Sequence, residues 1–127
     1  MNLSKLATTR RTAKAFDPAK PIPEEIFGEL LVWLRHSPSS VNSQPWHFVV
    51  ARDAQGRERI ARAAQGPHAY NAPKIAKASH VVVFCVRTDL DAAHLAALLA
   101  QEERDGRYPA PEAKEAYRKS REAYANL

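Results

Sequence analysis

The chain has 127 residues and a mass of 14.2 kDa, a length typical of one domain or of part of one. Its composition is 45% hydrophobic and 26% charged, and no apolar run approaches the ~20 residues that a membrane-spanning helix needs, so we expect no membrane partner. The net charge is +5, but residues 1–14 hold four bases and no acid, whereas residues 65–127 hold nine bases and eight acids; this concentration at one end argues against a nucleic-acid-binding face.

Cysteine and histidine usage narrows the class of protein further. The single cysteine, Cys85, cannot form an internal disulfide, and the five histidines show no zinc-ligand spacing. The N-terminal residues lack the apolar stretch of a signal peptide. We therefore expect a cytoplasmic protein without a structural metal.

The first strong pattern along the chain predicts a helix. Pro23 and the two glutamates after it form a helix start, because proline suits the first helical position and carboxylates complement the helix dipole. The helix should stop before Pro38. Its apolar residues recur at helical spacing: Ile26, Leu30, Leu31 and Leu34.

Two short segments rich in Val and Phe, residues 47–51 and 80–86, predict buried strands. Between them, residues 54–64 have the pattern of a surface helix, and residues 69–78 a less regular helical pattern. The strands alternate with helices.

Two further helices are predicted after the second strand. Asp89 can cap the first of them, which should end near Gly106. One face of this helix is formed by residues three and four apart, namely Leu95, Leu98, Leu99 and Glu102. Pro111 and Glu112 start the other helix, which places Tyr117 and Tyr124 on one face.

The last helix shows no stop signal before Leu127, and a sheet of two strands is marginal in water by itself. We therefore expect one domain over residues 1–127 that lacks its C-terminal part.

Three polar segments are candidates for ligand binding. The first is Arg10, Thr12 and Lys14: in an extended segment they face one way, so a guanidinium, a hydroxyl and an ammonium suit a phosphate and an anionic ring. The alternative is a solvated basic tail.

The second segment, residues 38–46, is hereafter the 38–46 loop. Pro38 and Pro45 enclose a run rich in hydrogen-bonding side chains that ends in Trp46. This loop could wrap a polar ligand, or it could be a capped turn that Trp46 anchors in the core.

The third segment is Asn71 and Lys74, which lie three residues apart on one side of a helical turn. They could present an amide and a cation to the edge of a heterocycle, or they could be part of a solvated helix face. The four glycines form no dinucleotide fingerprint or P-loop, and no nucleophile elbow is present. A bound cofactor is therefore the expected source of reactivity.

These segments together resemble the flavin-dependent nitroreductase family, in particular the oxygen-insensitive NAD(P)H nitroreductases that also reduce dihydropteridines and quinones. The resemblance runs from Arg10-Arg11-Thr12-Ala13-Lys14-Ala15-Phe16-Asp17 through the 38–46 loop and the strand at residues 79–85. It continues through Asp105-Gly106-Arg107 to Pro111-Glu112-Ala113-Lys114. It covers essentially the whole chain but about three-fifths of the family's length.

The resemblance implies an α+β fold with a three-layer α/β/α arrangement, here truncated, with helices on a small sheet. It further implies a homodimer with FMN at the interface and NAD(P)H as electron donor, which reduces small aromatic acceptors such as nitroaromatics, quinones or dihydropteridines. The cofactor-binding residues that it implies are Arg10, Arg11, Thr12, Ala13, Lys14, Pro38, Ser39, Ser40, Asn42, Asn71, Lys74 and Arg107.

Within that set, the resemblance places Arg10 and Thr12 at the FMN phosphate, Lys14, Asn71 and Lys74 near the flavin ring, and Arg107 at the nicotinamide nucleotide. The polar residues of the 38–46 loop would approach the partner's flavin. No side chain is expected to act as a catalytic residue, because the flavin carries the chemistry. Substrate would meet Tyr124 and Val41, although close relatives carry a hydroxyl residue at the position of Val41. The alternative is a truncated, non-catalytic dimerising remnant that retains no flavin.

Overall fold

The computed structural model describes residues 2–125, and in that range the chain forms six α-helices, two 3-10 turns and two strands, an α+β fold. The helices are α1 (Leu3–Thr9), α2 (Glu24–Arg35), α3 (Ala54–Ala61), α4 (Ala72–Lys77), α5 (Ala92–Arg104) and α6 (Pro111–Ala125). The strands are β1 (Trp46–Ala51) and β2 (Val81–Val86), and the 3-10 turns are Ser40–Asn42 and Gly66–Asn71.

The two strands pair with each other, but they are not the buried strands that the sequence predicts. The Arg87 N–H donates to the Pro45 carbonyl at 2.7 Å, which puts the end of β2 beside the start of β1, so the strands run antiparallel. Only Ala51 is buried, whereas Phe84 and Val86 are 71% and 72% exposed. The physical reason is that a sheet of two strands has few neighbours to cover its faces.

Helix α2 lies where it was predicted, but its buried residue is Phe27, one position after Ile26. Phe27 is buried, and its ring stacks on the His80 ring with the centroids 3.8 Å apart. Ile26 and Leu30, two of the apolar residues at helical spacing, are exposed. The large ring of Phe27 has the better packing partner, and Leu31, four residues on, shares its face.

The polar segments around the sheet depart most from the predictions. Helix α3 ends at Ala61 rather than at residue 64, and the pattern at 69–78 divides into a 3-10 turn and α4. The turn begins at Gly66, whose positive φ of 55° interrupts a regular helix. Helix α1 was not predicted; it has seven residues and buries none of them, and Asn2 caps it by accepting from the Lys5 N–H at 3.0 Å.

Helix α5 confirms the predicted apolar face, with Leu95, Leu99 and Glu102 all buried. Its cap is Asp91 rather than the predicted Asp89, and the Asp91 carboxylate accepts from the His94 N–H at 2.7 Å. This hydrogen bond is the main reason why the pKa of Asp91 lies below its ordinary value.

The C-terminal end of α5 is a Schellman motif, which turns the chain sharply. Gly106 has φ 69°, and its N–H donates to the Glu103 carbonyl at 3.0 Å. The Arg107 N–H donates to the Glu102 carbonyl at 2.9 Å. The turn therefore brings Arg107 back alongside Glu102.

Helix α6 begins at Pro111 as predicted, and its predicted end at Leu127 lies outside the described residues. Tyr117 and Tyr124 are exposed, while Arg121 is 1% exposed. Across residues 2–125, no helix has the length and apolar character that crossing a bilayer requires.

The chain forms two compact units. The first combines residues up to Gly28 with Val50–Val83 and contains the basic segment 10–14 together with Asn71 and Lys74. The second combines Glu29–Val49 with residues from Phe84 onward, and contains the 38–46 loop, Arg107 and Tyr124.

Candidate functional site

The basic segment follows α1 directly and is not helical. Arg10 ends the helix with an extended ψ of 142°, and all five side chains from Arg10 to Lys14 are exposed. Within residues 2–125, none of these side chains has a hydrogen bond or an ion pair. Their cations are therefore available to an anionic ligand, while their convergence on one spot stays a prediction.

Asn71 and Lys74 lie together in the first unit, as their spacing predicts. Lys74 Nζ donates to Asn71 Oδ1 at 3.2 Å, across the start of α4. The same Nζ lies 4.4 Å from the centroid of the Tyr70 ring. The amide NH2 of Asn71 and the remaining protons of Lys74 are the donors that this turn offers to a ligand.

Three residues of the 38–46 loop have a backbone conformation that residues other than glycine rarely adopt. Val41, Asn42 and Gln44 have φ values of 46°, 51° and 44°. Asparagine tolerates this left-handed region, but for the branched Val41 it is strained. Within the loop, Ser39 Oγ accepts from the Gln44 N–H at 2.9 Å, so part of the support is local.

Side chains from α5 and α6 make hydrogen bonds with three successive residues of the loop. Arg121 Nε donates to the Val41 carbonyl at 2.9 Å, and His94 Nε2 donates to the Ser43 carbonyl at 2.8 Å. Between these two, Asn42 Nδ2 donates to Glu102 Oε1 at 2.6 Å. The surface of the loop is thus set by residues 50 to 80 positions away in sequence.

Glu102 is the centre of this arrangement. It is 4% exposed and accepts from Arg121 Nη2 at 2.6 Å, from the Tyr108 hydroxyl and from Asn42. Arg107 Nη1 lies 3.4 Å from the same carboxylate. Burial opposes the negative charge, but the hydrogen bonds from Arg121, Tyr108 and Asn42 outweigh it and lower the pKa of Glu102 to about 2.

The carboxylate of Glu102 also shifts the pKa values of Arg121 and Tyr108. Burial disfavours the charged guanidinium, but Glu102 keeps the pKa of Arg121 above its ordinary value. Burial and the neighbouring carboxylate both raise the pKa of Tyr108. Arg121 Nη1 is buried without a hydrogen-bond partner in the described part of the chain, so the buried guanidinium depends heavily on Glu102.

A polar cleft of about 920 Å³ opens beside the loop in the second unit. Four residues that the resemblance assigned to cofactor binding line it: Pro38, Ser39, Asn42 and Arg107. Its other lining residues are Arg35, His36, Ser37, Gln44, Trp46, His47, Phe48, Gln101 and Asp105. Ser40, Val41 and Tyr124 are not part of this lining. The cleft thus brings Arg107 together with three predicted loop residues, and their role in binding stays a prediction.

The sequence patterns indicated no role for His94, Tyr108 or Arg121, and they placed Glu102 merely on a helix face. One signal was available: Glu102 follows Leu95 and Leu99 on an apolar face, and a carboxylate there needs a buried partner. The identity of that partner had no sequence signal, because Arg121 is 19 residues away.

Comparison with known proteins identifies the family. The family model described as "Nitroreductase family" matches residues 7–127. The chain belongs to the nitroreductase family. Among its relatives in this family, the oxygen-insensitive NAD(P)H nitroreductases of Salmonella typhimurium and Enterobacter cloacae are each 44% identical to it over 127 residues. The match covers 100% of this chain but 58% of each relative.

Solved structures share the nitroreductase fold. A nitroreductase of Exiguobacterium sibiricum in complex with FMN superposes with a TM-score of 0.76 at 21% identity, over 100% of this chain and 58% of that one. A nitroreductase-like protein of Streptococcus mutans gives a TM-score of 0.69 at 24% identity, over 91% of this chain and 53% of that one. At these identities the likeness concerns the fold, which agrees with the α+β, nitroreductase-like prediction.

Proposed function

We propose that this chain carries part of an FMN-dependent oxidoreductase that passes electrons from NAD(P)H to small aromatic acceptors, namely nitroaromatics, quinones or dihydropteridines. The observation that carries the proposal is the 44% identity to oxygen-insensitive NAD(P)H nitroreductases along all 127 residues. Since the chain spans 58% of these relatives, the activity of the whole protein is part of the proposal.

The donor groups of the first unit fit FMN. Arg10 and Thr12 offer a guanidinium and a hydroxyl, which match the phosphate, and both are exposed without internal partners among the described residues. Lys14 and Lys74 would place positive charge near the flavin ring, and Asn71 would donate to it. When bound, FMN would supply the acceptance and release of electrons. The side chains bind, orient and stabilise the negative charge of the reduced form.

The second unit would contribute the 38–46 loop and Arg107. We propose that Pro38, Ser39, Ser40 and Asn42 approach the flavin of a second copy of the chain, and that Arg107 meets the nicotinamide nucleotide. Val41 and Tyr124 would line the path of the acceptor. A second copy is favoured by exposed apolar side chains: Trp33, Phe84 and Val86 are 73%, 71% and 72% exposed. The cytoplasmic location stays a prediction.

The first test is whether the chain retains flavin. The purified chain is incubated with excess FMN and desalted, and the visible absorbance of flavin is measured per chain. We compare it with a double variant, Arg10→Gln with Lys14→Gln, and with a control of equal charge change, Lys5→Gln with Lys20→Gln. Loss of two charge-assisted hydrogen bonds should weaken binding roughly a hundredfold or more, and the control should bind normally. A colourless unaltered chain would refute flavin binding by these residues.

The alternative function is a non-catalytic dimerising remnant, and the same exposed apolar side chains favour it. Sedimentation at several concentrations, with and without FMN, separates the two functions. Association without flavin uptake supports the remnant. Flavin-dependent oxidation of NADPH in the presence of a nitroaromatic supports the oxidoreductase.

A further inference from the structure

The conformation of the 38–46 loop demands support from outside the loop. Three of its residues have positive φ, and none of them is glycine. Each such residue disfavours this conformation in isolation, most of all Val41. The hydrogen bonds within the loop, such as Asn42 N–H to the Ser39 carbonyl at 3.0 Å, close turns that a relaxed backbone also forms.

Besides the bond from His94 to the Ser43 carbonyl, the external support depends on one atom, Glu102 Oε1. Asn42 Nδ2 and Arg121 Nη2 each donate to it at 2.6 Å. Through its Nε, Arg121 also holds the Val41 carbonyl at 2.9 Å. Glu102 thereby fixes one loop residue directly and orients the guanidinium that fixes the residue before it.

We propose that Glu102 is a positioning residue, which together with Arg121 holds the 38–46 loop in its left-handed conformation and so sets the surface that the loop presents to the flavin. The second half of this statement rests on the proposed function, whereas the first half concerns the chain alone. Glu102 itself touches no cofactor in this scheme; it acts through Asn42 and Arg121.

Glutamine at position 102 is the informative substitution because it keeps the shape and removes the charge. Its amide oxygen can take the position of Oε1, and its NH2 group can donate to the Tyr108 hydroxyl, so the bonds from Asn42 and Arg121 lose the negative charge that strengthens them. The adjacent Glu103→Gln is a matched control, since Glu103 is exposed on the same helix and pairs with Lys114 at 2.7 Å. Asn42→Gly is a second test, because glycine accepts positive φ; it removes the link to Glu102 together with the longer contact from Gln44 Nε2 to Asn42 Oδ1 at 3.3 Å.

The primary measurement is hydrogen exchange at the amides of Asn42, Ser43 and Gln44, each of which donates within the loop. Loss of a charge-assisted bond should speed their exchange by roughly tenfold or more in both Glu102→Gln and Asn42→Gly. Exchange in Glu103→Gln should match the unaltered chain. The Gly56 amide, which donates to Asp53 in the other unit, is a reference outside the loop and should not change.

Unchanged loop exchange in Glu102→Gln overturns the proposal. If Glu102→Gln speeds exchange at Gly56 as much as in the loop, the Asn42→Gly variant decides the question. Unchanged loop exchange in Asn42→Gly then overturns the proposal. FMN titration of the same samples tests the second half. Weaker binding in Glu102→Gln than in Glu103→Gln supports it, and equal binding overturns it. Failure of the unaltered chain to bind FMN refutes the proposed function, while the exchange result still decides the role of Glu102.

Discussion

Replacing Glu102 by glutamine is expected to remove a large part of the acid sensitivity of folding. The pKa of Glu102 in the folded chain is about 2, against an ordinary value of 4.5 in the unfolded chain. The unfolded chain therefore binds this proton more readily than the folded chain does. The stabilisation is fully present above pH 4.5 and is lost as the pH falls toward 2.

The magnitude follows from the difference between the two pKa values. At ~1.4 kcal/mol per pKa unit, it corresponds to about 3 kcal/mol of folding free energy. The groups that face Glu102 are Arg121 from α6, Arg107 and Tyr108 from the turn before α6, and Asn42 from the loop. The pKa values of Arg121 and Tyr108 are both raised, so neither group changes its charge between pH 2 and pH 6, and the titration belongs to the carboxylate.

The assay is urea unfolding at a series of pH values from 2.5 to 6, for the unaltered chain, Glu102→Gln and Glu103→Gln. The difference in unfolding free energy between the unaltered chain and Glu102→Gln should shrink by up to about 3 kcal/mol as the pH falls. Glu115, whose pKa is also about 2, is present in every chain and cancels in the comparison.

Tyr108→Phe provides an internal check, because it removes one of the hydrogen bonds that lower the pKa of Glu102. The loss of stability should then still begin near pH 4.5, because the pKa of the unfolded chain is unchanged, but it should end at a higher pH and be smaller. Parallel pH profiles for the unaltered chain and Glu102→Gln would refute the reasoning, since they would mean that this carboxylate titrates alike in the folded and unfolded chains.

Two further predictions concern stability. Phe27→Ala should lower the unfolding free energy, measured in urea, by about 3–5 kcal/mol, because Phe27 is buried and stacks on His80. Val32→Ala, on the exposed side of the same helix, should change it by less than about 1 kcal/mol, and equal losses would contradict the buried stack. Gly28→Ala should raise the unfolding free energy in thermal unfolding by about 0.5–1 kcal/mol, because nothing lies within 4 Å of the added carbon in α2. Gly106→Ala should lower it by about 1 kcal/mol, because the φ of Gly106 is 69°, and shifts of the same sign would be inconsistent with these backbone angles.

Several features could be derived from the sequence because they depend on neighbouring residues. The start of α2 at Pro23-Glu24-Glu25, the apolar face of α5 and the start of α6 at Pro111 follow from spacing and end signals within one or two turns. The Asn71 and Lys74 contact across one turn is equally local. The family motifs are also contiguous runs of residues, so the amino-acid sequence by itself was enough to indicate the family.

The faces of the elements could not be derived in this way. In α2, apolar residues occupy several sides, and only the position of the His80 ring decides that Phe27 rather than Ile26 is buried. The strands were predicted as buried from their composition, but exposure depends on how many neighbours cover the sheet. Helix α1 has seven residues, too few for a distinct periodic pattern.

The tertiary structure alone decided the chemistry around the 38–46 loop. The left-handed angle of Val41 has no signal in the sequence, and asparagine at position 42 tolerates such an angle without requiring it; these angles are known only from the structure. They persist because Arg121 and Glu102 reach the loop from helices that are 80 and 60 residues away along the chain. A buried charge is stable only where its partners converge, and that convergence is a property of packing between elements that no local pattern encodes.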